Sequence, residues 1–139
     1  MKPRILIVDD EWSMLELLRM TFSAAGLDVV LAKDDVEFYR EALMQRPDVI
    51  ILDLMLGEKN GMDVYEELLT EGFDPKVPVV FLSALASDRP PTPLRAGRTY
   101  ALLGKPFDPE KLVAEINHLL SADSKRSLKI DGRTDQKPR

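Results

Sequence analysis

The stretch DVIILD, residues 48–53, decides the fold, because it joins a short β-branched apolar run to a single carboxylate, Asp53. Runs of this kind are typical of strands that are buried on both faces of a parallel sheet. Four other segments have a similar character: RILIV at 4–8, DVVLA at 28–32, VPVVFL at 77–82 and TYALL at 99–103. The sequence therefore predicts five strands, with Asp53 directly after the third.

Amphipathic helical patterns lie between these strands. Apolar residues recur at helical spacing in four segments: 12–25, 34–46, 61–71 and 109–120. The last begins most clearly, with Asp108 as N-cap and Pro109 at the first helical position. Between the fourth and fifth strands, SDRPPTPLRAG at 87–97 contains three closely spaced prolines, which predict an irregular or shortened fourth helix. The alternation predicts an α/β protein with a doubly wound, five-stranded parallel sheet.

Length and composition favour a single domain. The 139 residues are 45% hydrophobic, which suits one core. We expect the domain to span residues 1–120, because residues 121–139 lack periodicity and indicate a disordered tail or a linker stub. No signal peptide or membrane-length apolar run is present, so we expect a cytoplasmic protein with no membrane partner.

Charge and residue usage narrow the function classes. The chain has a net charge of −5, and its acidic excess lies in the predicted domain. Such a surface suits phosphate contacts poorly, and the sequence therefore predicts no direct nucleic-acid binding by this chain. There is no Cys and only one His, His118, which excludes thiolate and multi-histidine metal sites. A metal would have to be held by oxygen.

Polar residues follow four of the predicted strands. Asp9 and Asp10 follow the first, Asp53 the third and Ser83 the fourth, while Lys105 lies just beyond the fifth. Ligands of doubly wound sheets bind outside the carboxyl ends of the strands, where these groups converge. Three adjacent carboxylates repel one another unless they are protonated or bridged by a cation, and oxygen ligands favour Mg²⁺. With a lysine and a hydroxyl, such a site suits phosphoryl transfer to an aspartate.

Four short motifs together resemble the response regulator receiver family of two-component signalling: IVDDE at 7–11, DLMLGEKNG at 53–61, LSA at 82–84 and KPF at 105–107. The resemblance covers roughly residues 3–120. It implies a flavodoxin-like fold with strand order 2-1-3-4-5. It also implies a signalling phosphoacceptor, which catalyses only its own phosphorylation and dephosphorylation and is otherwise not an enzyme.

The resemblance assigns the metal ligands and the acceptor. Asp53 would be the phosphoacceptor and would also face the Mg²⁺ ion. Asp10 would be a direct ligand, Asp9 would act mainly through water, and the backbone carbonyl of Met55 would be the third protein ligand.

The remaining roles concern the phosphoryl group. Lys105 would pair with it, before a cis Pro106, and Ser83 would move to donate a hydrogen bond to one of its oxygens. Ala84 would leave room for the donor, a phosphohistidine of a sensor histidine kinase or phosphotransfer protein. An effector domain or protein would receive the signal, and a homodimer remains open.

Some positions depart from the family pattern. Leu102 replaces the aromatic residue that usually switches, and Tyr100 lies too far back along the strand to substitute for it. Gly57 stands where many relatives have Pro. These changes, with the proline-rich crossover, keep one alternative open: a degenerate receiver acting as a phosphorylation-independent docking module. Met55 and Leu85 lead us to expect slow hydrolysis of the phosphate.

A flavin-binding flavodoxin relative would share the sheet topology, but the loop after the first strand holds carboxylates instead of the small and hydroxyl residues that bind a phosphate. A hydrolytic enzyme is a further alternative. Phosphatases with an aspartate nucleophile resemble D-x-D-x-T, in which the second acid protonates the leaving group. Here that position is Met55, which cannot donate a proton, and the sequence disfavours this class.

Overall fold

The computed structural model describes residues 2–83, 100–105 and 107–132, without the side chains of 100–102 and 122–132. The predictions about the proline-rich crossover, Ala84, Leu85 and the cis Pro106 lie outside the described residues. The switch position at Leu102 and its neighbour Tyr100 are described only as backbone.

Helices and strands alternate along the described chain. In order they are β1 Arg4–Val8, α1 Trp12–Ala24, β2 Asp28–Ala32, α2 Asp35–Gln45, β3 Val49–Asp53, β4 Met55–Leu56, β5 Lys59–Asn60, α3 Gly61–Thr70, β6 Val79–Ser83, β7 Tyr100–Gly104 and α4 Pro109–Gly132. Asp34 caps α2 by accepting a hydrogen bond from the Glu37 N–H, at 2.8 Å. The Asp108 carboxylate accepts one from the Glu110 N–H at the start of α4, at 2.9 Å.

The main sheet has five parallel strands in the order β2-β1-β3-β6-β7. This confirms the predicted order 2-1-3-4-5, since β4 and β5 form a separate two-stranded hairpin. The two residues that join this hairpin are Gly57 and Glu58. Gly57 has a φ of +64°, as the first central residue of a II′ turn requires.

The core lies on both faces of the sheet. Successive residues of β1 alternate between the two faces, so that Leu6 packs towards α2 and α3 while Ile7 packs towards α1 and α4. Phe38 of α2 and Phe22 of α1 are completely buried in these two layers. Burying one such side chain contributes about 2 kcal/mol to stability. The two layers cover both faces of the sheet and so position the ends of its strands.

The last helix is longer than the sequence suggests. It continues to Gly132, so residues 121–132 are helical, and the assignment of residues 121–139 to a disordered tail or a linker stub stays a prediction. The cause of the extra length is that this segment contains no Pro before its end and includes strong helix formers such as Ala122, Lys125 and Leu128. The predicted domain boundary at residue 120 is not tested by this helix and stays a prediction.

Among the helices that are described, none combines the length and the apolar character that crossing a bilayer requires.

Candidate functional site

Polar groups from four strand ends meet at the carboxyl edge of the sheet. Asp9 follows β1, Asp53 and Ser83 are the last residues of β3 and β6, and Lys105 follows β7. Asp9, Asp53 and Ser83 have only 1%, 5% and 6% of their surface exposed. They are the buried polar residues of the described chain, and they share one edge. The structure therefore brings together the groups that the sequence places at strand ends.

Asp53 is held by contacts to both carboxylate oxygens. The Met55 N–H donates to Oδ1 at 3.0 Å, and the Lys105 Nζ donates to Oδ2 at 2.9 Å. The backbone contributes to this arrangement, because the Lys105 N–H donates to the Ser83 carbonyl at 2.8 Å and so continues the β6–β7 pairing beyond the strands. The Asp53 carboxylate is thus fixed in orientation and has a cation beside it.

Among the described residues, Asp9 has one buried carboxylate oxygen that forms a hydrogen bond and one that does not. Its Oδ1 accepts from the Glu11 N–H at 2.9 Å, whereas its buried Oδ2 has no hydrogen-bond partner in the described part of the chain. The Lys105 Nζ lies 3.6 Å from Oδ2, which is an ion pair without a hydrogen bond. The pKa of Asp9 is raised from 3.8 to about 6: burial is the largest cause and the charge on Asp53 adds to the rise, while the hydrogen bond from the Glu11 N–H lowers the pKa.

Asp10 faces solvent beside the other two carboxylates. Its Oδ2 accepts from the Gly57 N–H at 3.1 Å, which joins the loop after β1 to the β4–β5 hairpin. Asp9, Asp10 and Asp53 can each present an oxygen within 4.8 Å of the others. A hard divalent cation fits this set, because it would supply the partner that Asp9 Oδ2 lacks and would neutralise the mutual repulsion.

The same carboxylates affect the pKa of Lys105. Burial lowers the pKa of its ammonium group, but the hydrogen bond to Asp53 and the charge of Asp9 outweigh burial, and the net effect raises the pKa above its ordinary value. Lys105 therefore stays protonated at neutral pH. It offers a fixed positive charge next to the Asp53 carboxylate.

Two backbone features of the site are absent from the sequence-based prediction. The Gly57 N–H bond to Asp10 is one of them. The other is Gly61, at the start of α3, where an added Cβ would lie 2.3 Å from the Asp53 carbonyl oxygen. The signal was present as the Asn60-Gly61 pair shortly after the acceptor, but only the folded chain shows what the glycine approaches.

The assigned roles stay predictions, even where the residues are brought together. The structure shows the Met55 amide bonded to Asp53, and a role for its carbonyl as a metal ligand remains untested. The same holds for Ser83 as a donor to a phosphoryl oxygen.

Comparison with known proteins gives one consistent family. The sequence profile of the response regulator receiver domain matches residues 5–117. The chain is 34% identical over 118 residues to the DNA-binding dual master transcriptional regulator RpaA of Synechocystis sp., covering 85% of this chain and 49% of that protein. It is 35% identical over 117 residues to the DNA-binding response regulator MtrA of Mycolicibacterium paratuberculosis, covering 84% of this chain and 50% of that protein.

Solved structures agree on the fold. A CheY-like response regulator receiver domain protein from Methanospirillum hungatei has a TM-score of 0.75 at 20% identity, covering 91% of this chain and 99% of that one. The chemotaxis response regulator CheY4 of Vibrio cholerae has a TM-score of 0.71 at 26% identity, covering 86% of this chain and 99% of that one.

The relatives correct one prediction about partners. The chain spans about half the length of RpaA and MtrA, and both are named as DNA-binding. The prediction that excluded nucleic acid is therefore wrong for proteins of this kind. It failed because the net charge of this chain carries no information about the parts of RpaA and MtrA that lie outside the match.

Proposed function

The chain belongs to the response regulator receiver family of signalling proteins, and from this premise we propose that it accepts a phosphoryl group on Asp53. The observation that carries the proposal is the pairing of a buried, oriented aspartate with a protonated lysine at 2.9 Å, inside a cluster of three carboxylates. Receiver domains of this family are typically phosphorylated and typically use Mg²⁺.

The residues of the chain divide the chemistry between them. One Asp53 carboxylate oxygen attacks the phosphorus of the donor, the bond from phosphorus to the donor nitrogen breaks, and that nitrogen leaves with its electron pair and takes up a proton. Lys105 lies close enough to neutralise charge on the transferred group. Ser83, at the end of β6, would donate its hydroxyl hydrogen to a phosphoryl oxygen.

Asp9, Asp10 and Asp53, with the Met55 carbonyl, are the groups that we propose hold Mg²⁺. When bound, the ion neutralises negative charge on the acceptor and on the phosphoryl oxygens. The support from this chain is the unsatisfied Asp9 Oδ2 and the closeness of the three carboxylates.

The donor that we propose is a phosphohistidine on a sensor kinase or phosphotransfer protein, and the setting is the cytoplasm. Hydrolysis of the aspartyl phosphate by the chain itself would end the signal.

Intact mass spectrometry tests the acceptor. The chain is incubated with acetyl phosphate, with and without Mg²⁺, as the wild type, as Asp53→Asn and as Asp74→Asn, a matched control at an exposed loop carboxylate far from the site. We expect a Mg²⁺-dependent gain of one phosphoryl group in the wild type and the control, and none in Asp53→Asn. No gain in any sample would favour a phosphorylation-independent docking module instead.

We further propose that the output is control of transcription, on the strength of the names and lengths of RpaA and MtrA. Chromatin immunoprecipitation in the source organism, with an antibody raised against this chain, would test it. Enrichment at discrete promoters is expected, and its absence in cells that activate the pathway would contradict the proposal.

A further inference from the structure

An ion pair outside the acidic cluster holds the loop that completes it. Lys59, on β5, donates to the Asp35 carboxylate at the start of α2. The lysine side chain is 60% exposed and the aspartate side chain 18% exposed. The hydrogen bond from Lys59 lowers the pKa of Asp35, so this carboxylate is ionised at neutral pH. The pair therefore ties the hairpin to a helix that contributes no residue to the site.

The hairpin carries two groups that matter for the acidic cluster. Lys59 pairs with Leu56 across the hairpin, and Asn60 pairs with Met55, so the position of β5 sets the position of the Met55 backbone. The turn between the strands supplies the Gly57 N–H that bonds Asp10. Movement of β5 would thus displace both the Met55 carbonyl and the partner that orients Asp10.

The ion pair and the cluster share one recess. This recess of about 250 Å³ is bordered by Asp10 and Gly57 and also by Asp35 and Lys59. Other contacts also hold the hairpin, since Leu56 is buried and Asn60 caps α3. The contribution of the ion pair is therefore partial, in keeping with its exposure.

We propose that Lys59 and Asp35 are positioning residues for the cation site: their ion pair fixes the β4–β5 hairpin so that Asp10 and the Met55 carbonyl are preorganised for a divalent cation. This inference rests on the proposed function, because it assumes that the cluster binds Mg²⁺. Neither residue is one of the proposed ligands of the ion.

Substitution of Lys59 distinguishes an effect of charge from an effect of position, because the two predict opposite changes in Mg²⁺ affinity. Removing a positive charge near three carboxylates strengthens cation binding by electrostatics. If Lys59 acts by positioning, Lys59→Gln instead weakens Mg²⁺ binding. The matched control is Lys33→Gln, because Lys33 borders the same recess but its ion pair, at 3.4 Å, is with Glu37 of α2 and does not involve a hairpin residue.

The measurement is isothermal titration calorimetry of the full chain with Mg²⁺ alone. We expect the dissociation constant to rise about threefold in Lys59→Gln, which is the scale of an exposed ion pair, and to rise no further in the double variant with Asp35→Asn. Lys59→Arg should keep the wild-type dissociation constant, because it preserves the charge at this position. Lys33→Gln should leave the dissociation constant unchanged or slightly lower. Thermal unfolding without Mg²⁺ checks that each variant is folded.

Each outcome decides a different question. Mg²⁺ binding by the wild type that Lys59→Gln leaves unchanged or tightens would overturn this inference alone. Equal weakening in Lys33→Gln and Lys59→Gln would also overturn it, because the hairpin contact would then be irrelevant. No binding by the wild type would overturn the proposed cation site and, with it, this inference.

Discussion

Charged residues differ in burial and in hydrogen bonding between the amino edge of the sheet, where its strands begin, and the carboxyl edge, where they end. At the amino edge, the Arg4 N–H donates to Asp48 at 2.8 Å, and the Arg4 side chain donates to Asp28 at 2.9 Å and to the Gln45 carbonyl at 2.7 Å. These carboxylates are exposed to solvent and paired. At the carboxyl edge, Asp9 is buried and one of its oxygens has no hydrogen-bond partner among the described residues.

The difference separates structural charges from a functional site. An exposed, paired carboxylate costs the fold little, whereas buried carboxylates that repel one another cost stability unless a further group compensates. The carboxyl edge retains that cost, and a bound cation would remove it. Three substitutions, from the largest expected effect to the smallest, test whether the two edges differ in this way.

The largest effect is expected for Gly61→Ala. The new Cβ would lie 2.3 Å from the Asp53 carbonyl oxygen and 3.1 Å from the Leu54 Cα, and neither backbone atom can move without displacing the acceptor. We expect a loss of about 3 kcal/mol in the free energy of unfolding, measured by urea denaturation.

The control for this substitution lies towards the amino edge. An added Cβ at Gly72 would meet nothing within 4 Å, although the φ of +99° there is strained for Ala. Gly72→Ala should cost only about 1 kcal/mol. Equal losses in the two variants would show that Gly61 is not tightly packed against Asp53.

The second effect is a gain in stability for Asp9→Asn in Mg²⁺-free buffer. The pKa of Asp9 is about 6 in the folded chain, above its ordinary 3.8, so the folded state binds this proton more tightly than the unfolded state does. The contribution of Asp9 to stability therefore falls as pH rises from about 4 to about 6 and stays low above that range. We expect the free energy of unfolding of Asp9→Asn to exceed that of the wild type by about 2 kcal/mol at pH 8 and to be close to it at pH 4.

Urea denaturation across this pH range provides the check for Asp9. A stability difference that did not depend on pH would contradict the assignment of a raised pKa. Adding Mg²⁺ should reduce the stability difference between Asp9→Asn and the wild type at pH 8, because the wild type keeps all three carboxylates and is stabilised more by binding the ion.

The smallest effect is expected at the amino edge. Asp48→Ala removes the acceptor for the Arg4 N–H. Because this hydrogen bond is exposed, the N–H can donate to water instead. We expect a loss of about 0.5 kcal/mol. A gain in stability here would remove the contrast between the edges, since it would show that the exposed Asp48 and the buried Asp9 affect stability in the same way.

The strands and the residues of the carboxyl edge were largely predictable from the sequence, because they depend on local patterns. The five strands appear as β-branched runs, and each was placed within two residues of its observed ends. Asp53 and Ser83 were expected just after their strands and are instead the last residues of β3 and β6. This shift of one residue does not affect the predicted site, because the sheet topology brings the carboxyl ends of the strands to one edge wherever each strand is taken to end.

The rest depends on contacts between distant parts of the chain. The β4–β5 hairpin has two residues in each strand, too few for any periodicity to show. The pair between Lys59 and Asp35, and the bond from Gly57 to Asp10, join segments whose approach is set only by packing. No local pattern in the sequence predicts these two contacts.

The most direct test of the central claim locates the phosphoryl group. The chain is treated with acetyl phosphate and Mg²⁺, the acyl phosphate is reduced with borohydride, and the peptides are sequenced by tandem mass spectrometry. The account predicts a single modified residue, Asp53, at the carboxyl edge. Modification at another carboxylate, or the same labelling of Asp53 without Mg²⁺, would contradict it.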